Sequence, residues 1–273
     1  MVREWIRGPV LDSHLYAAAR SAGRNADLNF ILSIYLNRVE PDSTGLYADA
    51  TGAVVQILRW EDYQWEEFRR SFYRDVRGFF RDRFWLVPPR GFSDLDWPDS
   101  HPTHRPNVKC GLTLWLHDRP EHARIGINCI NPVPGQRIRS DMGRETRLGE
   151  LDSDDTTPQV FVPQPGKPEA HFQETALHEI GHLLGLSHVN RASARCSGDG
   201  NAVMCYGEKE WQRGDLMGLG SRVEHWHSWP WRNRIRYHTG FGGWTAVMTR
   251  PAPQALRTGQ GMDAGPAIRD AGV

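Results

Sequence analysis

Residues 178–188 read HEIGHLLGLSH, which places three histidines, one glutamate and two glycines in eleven positions. An α-helix advances about 100° per residue, so His178 and His182 lie on one face, one turn apart. Apolar residues occupy the opposite arc, at Phe172, Ala176, Leu177, Ile180, Leu183 and Leu184. The pattern predicts a helix from about Pro168 to Leu184 that buries its apolar side and presents the histidines.

Gly185 decides where the third histidine of this stretch lies. A ligand further along a straight helix would move away from an ion held by His178 and His182. Glycine tolerates the left-handed conformation that ends a helix and turns the chain. We therefore expect the chain to bring His188 back to the same ion.

Three neutral imidazoles leave the fourth position of a tetrahedral Zn²⁺ to water, as in catalytic rather than structural zinc sites. Zinc lowers the pKa of that water towards about 7. Glu179 lies about 100° from His178 on the helix, close enough to reach the water but poorly placed to be a ligand. Glu179 is therefore the predicted general base, and it can return the proton to a leaving amine.

Other interpretations use the same residues. The histidines could be solvated at a helix end, or they could hold zinc only to stabilise a non-catalytic binding module. A purely structural site has no use for Glu179, which favours catalysis. A zinc hydrolase of a non-peptide amide would share every residue and differ only in substrate.

Apolar runs bounded by Pro, Gly and Asp predict strands on both sides of a long helix. The strands are expected at 28–40, 53–59 (or there the approach to a helix), 83–89, 107–118, 123–131 and 158–165. The amphipathic helix is expected at 60–84, a short helix within 11–23, and a terminal helix at 221–238 with Ser221 as its cap and Pro230 as a kink.

The string at 178–188 resembles the extended zinc signature H-E-x-x-H-x-x-G-x-x-H of the metzincin metalloproteases, with wording closest to serralysins and matrixins. The resemblance implies a zinc endopeptidase with His178, His182 and His188 as ligands and Glu179 as base. A weaker match in element order covers about residues 28–188. It implies an α/β (α+β) fold: a twisted mixed sheet with a long helix and the active-site helix, and a smaller irregular subdomain that ends in a helix.

Domain boundaries follow from this resemblance and from composition. Residues 1–26 are predicted to be an N-terminal extension, and residues 27–249 a catalytic domain. Its upper subdomain would end at about residue 188, and its lower subdomain would span 189–249. Residues 250–273, rich in Ala, Gly and Pro, are predicted to be a loose tail.

Metzincins also carry a methionine in a tight turn under the zinc. Met217, in DLMGLG (215–220), directly precedes the predicted terminal helix and is our preferred residue; Met204, in AVMCYG (202–207), is the alternative. Tyr206 follows Met204 by two positions, as in serralysins and astacins, where that tyrosine assists at the zinc. Tyr206 is therefore expected to act as a transition-state donor only if Met204 forms the turn. The subfamily stays open.

The four cysteines are Cys110, Cys129, Cys196 and Cys205, which fit two disulfides in three possible connectivities, or four thiols. A bond between the last two would stiffen a cleft wall soon after His188.

Three further clusters are expected to be structural. The carboxylates of DSDD (152–155) lack the spaced ligands of a calcium loop, which favours a solvated turn over a structural Ca²⁺. His171 would lie about 10 Å up the helix axis from His178, too far to share its ion. In the stretch 225–231 the tryptophans are expected to pack the terminal helix on the core while His225 and His227 face water.

The balance of positive and negative residues does not indicate a polyanionic partner. Lys plus Arg and Asp plus Glu each number 33, so no net charge attracts the chain to nucleic acid or an acidic membrane. No apolar run approaches the roughly 20 residues of a membrane span, and no secretory signal is recognised at the N-terminus. We expect a monomer acting on a protein or peptide; non-classical export, injection as an effector and an intracellular location all remain open.

Overall fold

The computed structural model describes residues 3–17, 25–81, 83–92, 95, 104–161, 171–196, 203–248 and 256–257. The strands are β1 (Trp5–Ile6), β2 (Leu11–Ala17), β3 (Ala26–Arg38), β4 (Leu46–Ala48), β5 (Val54–Gln56), β6 (Trp85–Val87), β7 (His104–Arg105), β8 (Val108–His117), β9 (Ile125–Ile130), β10 (Asp141–Gly143), β11 (Leu148–Asp152), β12 (Gln159–Phe161), β13 (His171–Gln173), β14 (Thr245–Val247) and β15 (Leu256–Arg257). The α-helices are α1 (Asp62–Phe80), α2 (Thr175–Leu184), α3 (Glu210–Arg213) and α4 (Trp229–Thr239).

The long strand β3 lies at the centre of a nine-stranded mixed sheet. Along most of its length it pairs in parallel with β8, from Ala26–Val108 to Tyr35–His117. Its other edge is divided between two neighbours: residues 26–32 pair antiparallel with β2, and residues 34–38 pair in parallel with β9. From β9 the sheet continues through β11 to β10, and from β8 through β6 to β14. The predicted mixed-sheet α+β fold is confirmed.

One face of β3 forms the centre of the hydrophobic core. Its alternate residues Leu28, Phe30, Leu32, Ile34 and Leu36 are buried there. The amphipathic helix α1 packs on the core through Phe68, Phe72, Val76 and Phe80. From α4, the Trp231 ring stacks on that of Phe30 at 4.9 Å, and its indole N–H donates to Gly111 O at 3.0 Å. Both the long helix and the last helix are therefore attached to the same sheet.

The predicted short helix within 11–23 is wrong, because residues 11–17 form β2. Leu11, Ser13 and Leu15 are buried, whereas Asp12, His14 and Tyr16 alternate with them at half-buried positions. This period of two is a strand pattern. Residues 18–24 lie outside the described part of the chain.

Two helix starts also differ from prediction. The motif helix begins at Thr175 rather than near Pro168, because residues 171–173 form β13, which pairs with β12 as a hairpin. Phe172 is on that strand and is 57% exposed, so it does not belong to the buried helix face. The terminal helix begins at Trp229, with Pro230 in its first turn. Backbone N–H groups of the first turn have no partner within the helix, so proline, which lacks an N–H, is tolerated there. Ser221 is therefore not its cap, and Pro230 is not a kink.

The remaining predicted strands are present, and α1 falls within the helix predicted at 60–84. No helix in the described ranges is long and apolar enough to cross a bilayer. The predicted tail lies outside the described residues except at 256–257, which pair with β7.

Buried His238 joins α4 to the first strands and should make stability depend on pH. Its Nε2 lies 2.8 Å from Ser13 Oγ, its Nδ1 donates to Arg3 O, and burial lowers its pKa to about 4 from the usual 6.5. Between those two pH values the unfolded chain binds a proton that the folded chain excludes. The unfolding free energy should therefore fall by up to about 3 kcal/mol as pH drops from 6.5 to 4 through this residue alone.

His238→Gln should flatten that dependence, measured by urea unfolding of the metal-free protein at pH 4.5 and 7. Other buried histidines contribute equally to both proteins, so the difference between the slopes isolates His238. Identical slopes would show that His238 takes up its proton without cost.

Candidate metal centre

Helix α2 is buried on both of its sides. Ala176, Leu177, Ile180, Leu183 and Leu184 form its core side, as the helical pattern predicts. His178 is 2% exposed and Glu179 6% exposed, so the side expected to face solvent is covered as well. The covering groups come from β10, which packs beside α2, and from the chain that follows the helix.

Gly185 ends α2 in the left-handed conformation, with φ of 100° and its N–H directed to the carbonyls of Gly181 and His182. This is the conformation expected for a glycine that turns the chain after a helix. The turn returns His188 to the two helix histidines. A side chain at position 185 would also meet Arg144, whose Nη1 lies 2.9 Å from the position of a Cβ atom.

The three histidines direct their Nε2 atoms to one point. His188 Nε2 lies 3.1 Å from His182 Nε2 and 3.2 Å from His178 Nε2. Ligands at about 2.0–2.1 Å around a tetrahedral ion are separated by about 3.3 Å, so the spacing fits a bound ion. Among the described residues this is the one group of three or more possible ligands that converges. His178, His182 and His188 can therefore hold a metal ion.

Backbone carbonyls fix the orientation of both helix histidines. His178 Nδ1 donates to Leu216 O at 2.7 Å, and His182 Nδ1 donates to Leu186 O at 2.9 Å. A proton on Nδ1 leaves the Nε2 lone pair free for a metal. Burial lowers the pKa of both rings, which favours the neutral form that binds metals.

Met217 lies directly beneath the motif helix. It is fully buried, its carbonyl accepts the N–H of Val189 at 3.0 Å, and its Sδ lies 2.6 Å from where a Cβ on Gly181 would be. A side chain at position 181 would therefore have to displace the sulfur. Met204 instead lies in the 3-10 turn Val203–Tyr206, where its carbonyl accepts Asn190 Nδ2 at 2.7 Å. Of the two methionines, Met217 is therefore the one whose sulfur packs against α2 at Gly181.

Tyr206 lies beside the histidines although Met204 does not form the turn. Its ring centroid is 4.1 Å from that of His188 and 5.8 Å from that of His178. Tyr206 comes from the 3-10 turn that contains Met204, whereas the methionine against α2, Met217, comes from a later turn, so the position of Tyr206 does not depend on which methionine lies there. Its role as a donor stays a prediction. Burial, and then the charge of Glu179, raise the pKa of Tyr206, so the phenol keeps its proton.

A disulfide between Cys196 and Cys205 supports this placement of Tyr206, since Cys205 is its neighbour in the chain. The Cys205 carbonyl accepts the N–H of Asn190, two residues after His188. Cys110 and Cys129 are free thiols in β8 and β9, and burial raises the pKa of both.

Two of the three carboxylates of the DSDD stretch are buried rather than solvated, which corrects the predicted solvated turn; only Asp154 is exposed. Asp152 and Asp155 are fully buried and share Arg137, which donates to Asp152 Oδ2 at 2.5 Å and to Asp155 Oδ1 at 2.7 Å. The Asp155 carbonyl accepts the N–H of Ala176 and so holds the start of α2.

Burial raises the pKa of Glu179, and the nearby charges of Asp141 and Asp155 raise it further.

Two supporting residues escaped the sequence analysis. Gln173 precedes α2; its Nε2 donates to Gly218 O at 2.8 Å and lies 3.0 Å from His178 Nδ1. Asp215 is buried next to the carbonyl that His178 uses.

His171 lies on β13, and its Nε2 is 3.0 Å from Glu210 Oε1. His225 is exposed as predicted, but His227 is buried and bonded to Asp215.

Gly185→Ala should weaken metal binding. Alanine in the left-handed region costs about 1–2 kcal/mol, and relief of that strain would displace His188. Calorimetric titration with a divalent metal should show a lower affinity than for the native chain. Gly78→Ala is the matched control, because Gly78 is exposed within α1 with nothing near its Cβ position. It should stabilise the helix by about 0.5–1 kcal/mol and leave the affinity unchanged. Equal affinities for the native chain and both variants would contradict the view that this turn places His188 as a metal ligand.

Met217→Ala should cost about 2–5 kcal/mol of unfolding free energy, because it removes a fully buried side chain beneath α2. Met204→Ala should cost less, since Met204 is only partly buried. Chemical unfolding and retention of bound metal would compare the two variants. Greater damage from the Met204 change would mean that the support of the helix has been assigned to the wrong methionine.

Comparisons with known proteins leave the site to be interpreted from its own geometry. No protein-family model, curated protein or solved structure matches the chain. The three converging imidazoles, the adjacent buried carboxylate and the neighbouring phenol are therefore the observations on which a function must rest.

Proposed function

We propose that the protein is a zinc-dependent endopeptidase of metzincin type. The observation that carries the proposal is the convergence of three Nε2 atoms, with that of His188 3.1 and 3.2 Å from the other two, and with Glu179 next in the chain to His178. Three protein ligands leave a tetrahedral ion one position for water or substrate. A fold-stabilising metal site has no need of that position or of a buried carboxylate beside it.

Zinc fits the donor set best. Imidazole nitrogen suits zinc, copper, iron and nickel, and the two nitrogen–nitrogen distances of 3.1 and 3.2 Å lie close to the roughly 3.3 Å expected around a tetrahedral zinc ion. When bound, zinc would supply Lewis-acid polarisation of a carbonyl and a water of lowered pKa. The second ring nitrogens of His178 and His182 are already bonded to backbone carbonyls, as is usual for zinc ligands.

Glu179 is the proposed general base and acid. It takes the proton of the attacking water as the carbonyl is attacked, and it delivers a proton to the amine as the peptide bond breaks. Its burial favours the protonated carboxyl once that proton has been taken up.

Tyr206 is the proposed donor to the developing oxyanion. Its ring lies against His188, and its phenol keeps its proton. A hydrogen-bond donor already in place at the point where negative charge develops stabilises the transition state more than the ground state.

The edge strand β10 favours a peptide as the substrate. It pairs antiparallel with β11 on one side, and within the described ranges no strand pairs with its other side. It packs beside α2, so an extended peptide added to this edge would pass the histidines. The observed order of strand, long helix, strands and motif helix agrees with the fold that the metzincin resemblance implies.

The direct test measures bound zinc and cleavage of casein for the native protein, Glu179→Ala and Glu179→Gln. We expect near-stoichiometric zinc in all three and a loss of cleavage by a factor of about 10² or more in both variants, because general acid–base catalysis contributes about 10²–10⁴. Cleavage by the native protein should stop with a chelator and return with zinc.

Glu121→Ala is the matched control, since Glu121 is exposed in the 3-10 turn Pro120–His122 between β8 and β9. It should cleave like the native chain. Equal cleavage by native and Glu179 variants would refute the mechanism, whereas bound zinc without cleavage of casein would favour a binding module or a non-peptide amidase.

A further inference from the structure

Asp215 is a buried carboxylate in the turn beneath α2. Its side chain is fully buried, and it accepts three hydrogen bonds: from Met217 N at 2.8 Å, Trp226 Nε1 at 3.0 Å and His227 Nε2 at 3.0 Å. A buried carboxylate is retained at a cost unless donors such as these compensate it. The three donors together satisfy both carboxylate oxygens and define their orientation.

The same turn contains the carbonyl that orients a metal ligand. Leu216 lies between Asp215 and Met217, and its carbonyl oxygen accepts the Nδ1–H of His178 at 2.7 Å. Asp215 Oδ1 accepts the N–H of Met217, which belongs to the same peptide group as the Leu216 carbonyl. The carboxylate therefore holds the peptide group that orients His178. Movement of that peptide would rotate the His178 ring away from the point where the Nε2 atoms meet.

His227 connects this turn to the rest of the molecule. Its Nδ1 accepts the N–H of Glu224 at 2.8 Å, so the ring proton is on Nε2 and is donated to Asp215. Trp226 and His227 directly precede α4, whose Trp231 stacks on Phe30 of the central strand. The Asp215 carboxylate thus joins the turn beneath the metal centre to a helix that is attached to the sheet.

We propose that Asp215 is a positioning residue of the metal centre: through Leu216 it sets the orientation of His178, and it adds a buried negative charge below the bound ion. The inference rests on the proposed metal site. It predicts that loss of the charge weakens metal binding specifically, beyond any general loss of stability. Groups that act on a metal through its ligands contribute about 10–100-fold to affinity or activity.

Asp215→Asn is the informative variant, because the amide keeps the size of the side chain and one acceptor while removing the charge. Zinc affinity is measured by competition with a chromophoric chelator, and Co²⁺ replaces zinc for visible absorption, which reports ligand geometry. We expect zinc affinity about 10–100-fold lower and an altered Co²⁺ spectrum. The stability of the metal-free chains is measured separately by urea unfolding.

His238→Gln is the matched control, since His238 is also buried and hydrogen-bonded but lies on α4 and bonds to Ser13 and Arg3 rather than to the turn. It should lower the stability of the metal-free chain while leaving zinc affinity and the Co²⁺ spectrum native. If Asp215→Asn behaves like this control, Asp215 is only structural and the inference is wrong.

His227→Gln covers the case in which Asp215→Asn does not fold. It removes the ring but leaves the carboxylate and its other two donors, so a fall in zinc affinity smaller than that expected for Asp215→Asn would support the inference, and native affinity would overturn it. Failure of the native chain to bind zinc would refute the proposed function itself, which separates that failure from failure of the inference.

Discussion

The hydrogen bond from His178 Nδ1 to the Leu216 carbonyl is the contact on which the organisation of the site depends. It joins α2, which carries two of the three convergent histidines, to a turn almost forty residues later in the chain. The same turn places Met217 under Gly181. The helix and the turn are therefore joined by two contacts, one made by a side chain of the helix and one by a side chain of the turn. The first histidine is thus oriented by tertiary structure rather than by its helix alone.

The other groups at the site are attached to rigid parts of the molecule in a similar way. His182 is bonded within its own helix end, through Leu186, and His188 follows a left-handed glycine whose geometry admits few alternatives. Tyr206 reaches the histidines from a loop closed by the Cys196–Cys205 disulfide. A site assembled from a helix, a constrained turn and a cross-linked loop keeps its geometry in the absence of ligand, which lowers the reorganisation that binding would require.

Local patterns in the sequence predicted the parts of this arrangement that are local. The 3.6-residue period fixed the face of α2, glycine chemistry predicted the turn at 185, and apolar runs located most of the sheet. Residues 11–17 form a strand rather than the expected helix because their alternation covers only seven residues and lies beside helix-forming alanines, and β13 cannot be distinguished locally because Phe172 also fits the helical period. The contacts of Asp215, His227 and Gln173 join segments distant in sequence, and no local pattern indicates which loop will meet which. The same holds for Tyr206, whose position beside His188 does not follow from its separation in sequence from Met204 or Met217.

The divided edge of β3 changes the meaning of the first residues of the chain. Residues 26–32 offer their peptide groups to β2, and β9 takes over only from residue 34 onwards. Without β2, about half of the longest strand of the sheet would present unpaired N–H and C=O groups along an open edge, which is the arrangement that recruits a second chain. The segment predicted to be an extension therefore protects the central strand, and a shortened chain that lacks it would be prone to self-association even with its three histidines in place.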